Sequence, residues 1–172
     1  MLQTPPAEFD NLSDLLSSSI LPNMNTQTTD KSIGFPTPAD QIRLAREYFA
    51  KVDAGDPSVL DMFTENVQVY FPKIGTASGK VRAVQLVQVL TRAVPRFAHD
   101  TASMIFTQSS NRLVVEGTES GVLADGTPFP DDARSEGRFC NVFEFCGKCI
   151  SRLHIYTDPD FRGRYFDLYP QD

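Results

Sequence analysis

Gly137-Arg138-Phe139-Cys140-Asn141-Val142-Phe143-Glu144-Phe145 and Ile150-Ser151-Arg152-Leu153-His154-Ile155-Tyr156-Thr157, joined by Cys146-Gly147-Lys148-Cys149, decide the fold class of this chain. Both runs alternate with a period of two, the signature of a strand with one face buried. In the first, Phe139, Asn141, Phe143 and Phe145 share one side, against Arg138, Cys140, Val142 and Glu144. In the second, Leu153, Ile155 and Thr157 oppose Arg152, His154, Tyr156 and Asp158. The apolar sides form an interior wall, and the short connection makes the pair a hairpin. Asn141 is the lone polar group in its aromatic row, and a buried amide without a partner costs ~1–3 kcal/mol.

Working back from the hairpin, β-prone runs at 101–108, 112–123, 135–145 and 150–157 are separated by turn-forming segments, which predicts an antiparallel meander. Upstream the signals are helical. Thr37 caps a helix with Pro38 at its first position and Asp40 three after the cap; Ala45, Tyr48, Phe49 and Val52 lie on one face, and Gly55 stops it. A second, shorter helix starts at Asp56-Pro57 and buries Leu60 and Phe63. Val67, Val69 and Phe71 share one side of a strand that Pro72 ends. Ser78 opens a third helix with Val81, Val84, Val87 and Leu90, closed near Pro95. The sum is an α+β fold, in which a curved antiparallel sheet wraps around three N-terminal helices.

The 172 residues fit one domain on the ~100–200-residue scale. Residues 1–36, rich in Ser, Thr, Asn, Gln and Pro, read as a disordered leader with one helical island at Phe9, Leu12, Leu15, Leu16 and Ile20. The folded domain is expected over 37–162, followed by a tail over 163–172. A net charge of −6, with no cluster of Lys or Arg, argues against nucleic acid and anionic membranes as partners. No apolar run reaches the ~20 residues of a bilayer span, and the first 30 residues lack Lys and Arg, so a cytoplasmic protein is expected. The Cys146-Gly147-Lys148-Cys149 spacing lacks a second cysteine pair for zinc and a helix N-terminus for redox work. An incidental turn is the expectation, and metal or redox chemistry the alternative.

Glu47-Tyr48-Phe49 to Asp53-Ala54-Gly55-Asp56, the strand from Asn66 to Pro72, and the ending from Gly137 to Asp160 occur in an order and spacing that resembles the SnoaL-like branch of the nuclear transport factor two-like superfamily. The resemblance covers about residues 38–162. It implies a cone with one deep pocket and a homodimer; no cofactor or metal is expected. Relatives include ketosteroid isomerases, polyketide cyclases, scytalone dehydratases, limonene epoxide hydrolases and noncatalytic binding modules.

Mapped onto that resemblance, Tyr48 and Asn141 match the two donors that hold a substrate oxyanion in the isomerases. Tyr48 also reads as part of the helix's apolar face, and Asn141 as a structural amide. The carboxylates of better-known relatives are missing: Phe71 stands at the isomerase base and Ile155 at the last-strand acid. The epoxide hydrolases' Arg and Asp positions hold Thr118 and Ser120, and their Tyr and Asn positions hold Val69 and Phe71. His99, close to the pocket histidine of scytalone dehydratases, is the remaining titratable candidate; its ordinary pKa of ~6.5 suits proton abstraction beside a carbonyl. Asp100 orients it only if the backbone turns between them. Glu116, if it reaches inside, is the reserve acid or base, and the loop from Pro128 to Arg134 either rims the mouth or is a solvated connector. The expected catalytic set is therefore His99, Tyr48 and Asn141. The expected substrate wall is Val69, Phe71, Glu116, Thr118, Ser120, Phe139, Phe143, Leu153, Ile155 and Thr157. The expected ligand is a hydrophobic polyketide-, steroid- or terpenoid-like molecule, handled by an isomerase, cyclase or dehydratase or else simply bound by a noncatalytic or protein-interaction module.

Overall fold

The computed structural model describes residues 35–130 and 136–157; the expected leader up to Gly34, residues 131–135 and the segment from Asp158 lie outside the described residues. Helix α1 spans Pro38–Asp53. The Thr37 side chain caps it by accepting from the Asp40 amide at 3.2 Å, as the sequence predicts. Its buried face is Gln41, Leu44, Ala45, Tyr48 and Phe49. The second helix is a 3-10 segment, Pro57–Met62, capped by Asp56. Pro57 suits its first turn, and six residues are too few to favour the wider α geometry. Helix α2, Lys80–Ala93, starts one residue later than Ser78 would place it, behind Gly79 at φ +89°.

Among the described residues the strands, in chain order, are β1 Phe63–Phe71, β2 Gly75–Ser78, β3 Arg96–His99, β4 Ile105–Ser109, β5 Arg112–Val122, β6 Pro128–Phe129, β7 Arg138–Cys146 and β8 Cys149–Thr157. They form one sheet in the order β2-β1-β8-β7-β5-β3, with β4 and β6 also paired to β5. β1 runs parallel to β8, so the sheet is mixed and the expectation of an all-antiparallel sheet is corrected. The cause is topological: α2 and the meander carry the chain away from β1, and β8 returns beside it in the same direction.

The run expected at 101–108 is strand only from Ile105, as β4, and the separate strand β3 precedes it at Arg96–His99. The Asp100 carboxylate accepts from the Ala102 amide at 3.2 Å and folds a turn that separates β3 from β4. That turn matters, because it puts His99 at the end of its own strand. β5 binds β4 through residues 112–116 and β3 through 119–122 along one edge. The long strand therefore joins two parts of a curled sheet, and its Gly117 and Gly121 lie where the aromatic rings of Phe139 and Phe129 come close.

The concave side is filled by α1 and the inward rows of β1, β5, β7 and β8. Phe49, Leu113, Val115 and Phe143 are fully buried there, and Tyr48 meets Phe143 edge-on with ring centroids 5.4 Å apart. No helix among the described residues is long and apolar enough to cross a membrane.

Candidate acid–base site

Asp53 is the last residue of α1 and follows Phe49 by four, so it leaves the helix on the buried side, one turn beyond the phenylalanine. His99 closes β3, and its register partner on β5 is Glu119. Residues directly opposite across an antiparallel pair point to the same face, so both side chains enter the interior together. Three rings enclose the imidazole edge-on: Phe49 at 4.7 Å, Phe97 at 4.9 Å and Phe139 at 5.0 Å between centroids. The His99 side chain is 5% exposed and that of Glu119 3%, whereas Asp53 keeps 23% and connects the group to solvent.

The hydrogen bonds fix the imidazole's orientation. The His99 Nδ1 lies 2.6 Å from Asp53 Oδ1, and the His99 amide donates to Asp53 Oδ2 at 3.1 Å. An ionised carboxylate only accepts, so Nδ1 carries the proton in the neutral ring and Nε2 is left with a lone pair. Nε2 lies 3.9 Å from Glu119 Oε2, beyond a direct hydrogen bond. Glu119 is held from two directions: its amide donates to the Gly137 carbonyl at 2.7 Å, and its Oε1 accepts from the Thr157 hydroxyl at 2.6 Å. Burial pushes its carboxyl from 4.5 up to about 7, the Thr157 bond pulls it partly back, and the charge of Asp53 raises it again.

Tyr48 and Asn141 are both buried in the same interior. Burial raises the Tyr48 phenol well above its usual range, and the charges of Asp53 and Glu119 push in the same direction. Asn141, between Phe139 and Phe143 on β7, has a buried Oδ1 with no hydrogen-bond partner. Among the wall residues expected from the sequence, Val69, Phe71, Phe139, Phe143 and Leu153 are buried, while Ile155 and Thr157 are half-buried.

Three others are not on this wall. Leu113, Val115 and Glu119 are the buried parity of β5, which turns Glu116, Thr118 and Ser120 outward. Glu116 and Thr118 instead line a hollow of about 460 Å³ on the outer face, with Ile105, Arg138 and Tyr156. The reserve acid expected at Glu116 is therefore corrected: Glu119 is the carboxyl that faces His99. Asp100 is corrected too, since it is exposed and caps its own turn, and Asp53 orients the imidazole. Sequence reasoning could have reached Glu119 by stepping in twos from Leu113 and Val115 through Gly117. His154 lies on the outer face as expected, bonded to Gln68 at 3.1 Å and to Arg152 at 3.0 Å. Among the described residues no three His, Cys, Asp or Glu side chains are placed to hold a metal ion.

No family model matches the chain, and no curated protein matches it either. Solved structures do. An NTF2-like protein from Anabaena variabilis superposes with a TM-score of 0.60 at 20% identity, covering 73% of this chain and 95% of that one. A protein assigned as a SnoaL-like polyketide cyclase from Jannaschia gives 0.58 at 15% identity, covering 76% and 92%. TerC, co-crystallized with polyporic acid, gives 0.58 at 16% identity, covering 69% and 92%. At these identities the likeness speaks for the fold. The curled mixed sheet around α1 thus has the same fold as these NTF2-like and SnoaL-like structures.

Proposed function

We propose that the cone interior is a metal-free acid–base site that isomerises, cyclises or dehydrates a hydrophobic small molecule. The observation that carries this reading is the Asp53–His99–Glu119 arrangement. A base with a bare Nε2 and an acid whose carboxyl is pushed up to about 7 face one another 3.9 Å apart. His99 removes a proton beside a carbonyl, Asp53 stabilises the imidazolium that forms, and protonated Glu119 delivers a proton to the product side. Tyr48 and, through its Nδ2–H donors, Asn141 hold the developing oxyanion, a role that the neutral phenol of Tyr48 supports. The aromatic surroundings favour an uncharged, polyketide-, steroid- or terpenoid-like substrate, bound in a deep pocket along Val69, Phe71, Phe139, Phe143, Leu153, Ile155 and Thr157. That a structural neighbour was crystallised with polyporic acid supports a small-molecule ligand. We further propose a cytoplasmic homodimer with no cofactor.

One observation favours a noncatalytic binding module instead: Phe71 and Ile155 stand where relatives were expected to keep carboxylates. Deuterium uptake from heavy water into cyclic enones and 1,3-diketones separates the two readings. The acid–base reading predicts uptake faster than solvent alone, falling by ~10²–10⁴-fold in His99→Ala and falling with little loss of ligand affinity in Tyr48→Phe. Binding without accelerated exchange, in wild type as in His99→Ala, would leave the module reading.

A further inference from the structure

The hairpin between β7 and β8 does more than close the sheet. Cys146 and Cys149 are register partners across its two-residue turn, in which Gly147 takes φ +58°. The pair next to them, Phe145 and Ile150, is buried and faces the core. By the alternation of strands, Cys146 and Cys149 both face outward on the same side. Facing residues of an antiparallel pair have Cα atoms about 4.5–5.5 Å apart, inside the range of about 4.4–6.8 Å that a disulfide bridges. Both thiols are free, Cys146 is exposed and Cys149 half-buried. The third cysteine differs: Cys140 is half-buried on β7, and its thiol is pushed up by burial and by the charge of Glu116.

We propose that Cys146 and Cys149 form a reversible dithiol–disulfide site that a small-molecule disulfide oxidises. The chemistry follows from access. The exposed Cys146 thiolate attacks one sulfur of the oxidant and forms a mixed disulfide, releasing one thiol. The Cys149 thiolate, held opposite, then attacks the Cys146 sulfur and displaces the second thiol. Overall two protein thiols lose two electrons and two protons, and the oxidant becomes two thiols. Cys140 stays out, because its raised pKa leaves little thiolate and β7 holds it six residues away. This site is independent of the interior acid–base group, and the turn that the sequence reads as incidental gains a role from its register.

The test is to treat the full-length protein with oxidised glutathione at neutral pH, block free thiols by alkylation and map them by mass spectrometry. The proposal predicts a product two hydrogens lighter, in which tryptic fragments on either side of Lys148 are linked through Cys146 and Cys149. Cys140 is alkylated, and a thiol reductant restores all three thiols. In Cys149→Ser the reaction stops at glutathione bound to Cys146. The proposal is overturned if wild type also stops at that mixed disulfide, if Cys140 pairs with either cysteine, or if all three thiols stay free. The wild-type map decides the matter even if the variant fails to fold.

Discussion

Replacing Glu119 by Gln isolates the energetic signature of the interior site. The amide keeps the shape, and its oxygen can still accept the Thr157 hydroxyl, but it cannot ionise. In the wild type the buried carboxyl titrates at about 7, against 4.5 for an ordinary glutamate. Below pH 4.5 the carboxyl is protonated in the folded and unfolded chains alike, and burial of the charge costs nothing. As pH rises from 4.5 to 7 the unfolded chain releases the proton and the folded one keeps it, so stability falls by ~1.4 kcal/mol per pH unit. Above 7 both states are ionised and the loss levels off at ~3 kcal/mol. Urea unfolding of both proteins from pH 4.5 to 8.5 reads this directly. The stabilities should diverge with rising pH, with Glu119→Gln gaining on the wild type until about pH 7. A difference that stays constant across the range would refute the burial-driven shift and, with it, Glu119 as an acid at neutral pH.

Two further outcomes follow from packing and chain organisation. Gly137 has φ +61°, and a Cβ there would sit 2.1 Å from the Glu119 carbonyl oxygen; Gly137→Ala should cost ~1–3 kcal/mol in a thermal or urea melt and disturb the Glu119 backbone. A chain beginning at Thr37 should melt within a few degrees of the full chain, because the composition of residues 1–36 buries too little apolar surface to offset its ordering entropy; a large drop by calorimetry would place the island from Phe9 to Ile20 in the core.

Legibility followed the strength of local signals. The Thr37 cap, the Asp56-Pro57 start, the strand ending at Phe71 and the inward rows of β7 and β8 could be read because capping chemistry and period-two alternation act over a few residues. The parity of β5 is ambiguous in the sequence: Val114 beside Leu113 and Val115 makes both faces apolar at its start, and the hydroxyls of Thr118 and Ser120 suggest a polar pocket wall. Burial shows the opposite phase. The parallel β1–β8 pairing and the Asp53 contact with His99 were hidden for another reason. Each joins segments 46 or more residues apart, and no local rule reports such a meeting. His99 itself was legible by elimination, but its orienting carboxylate required the fold.

The central claim is that His99 presents an unprotonated Nε2 to the interior while Nδ1 binds Asp53. Nitrogen NMR of the ¹⁵N-labelled protein with its ring neutral, assigned through His99→Gln, tests it without a substrate. The account predicts a proton on Nδ1, slow to exchange and hydrogen-bonded, and a bare Nε2; in Asp53→Ala, which removes the acceptor, that protection is lost. A proton found on Nε2, directed at Glu119, would contradict it.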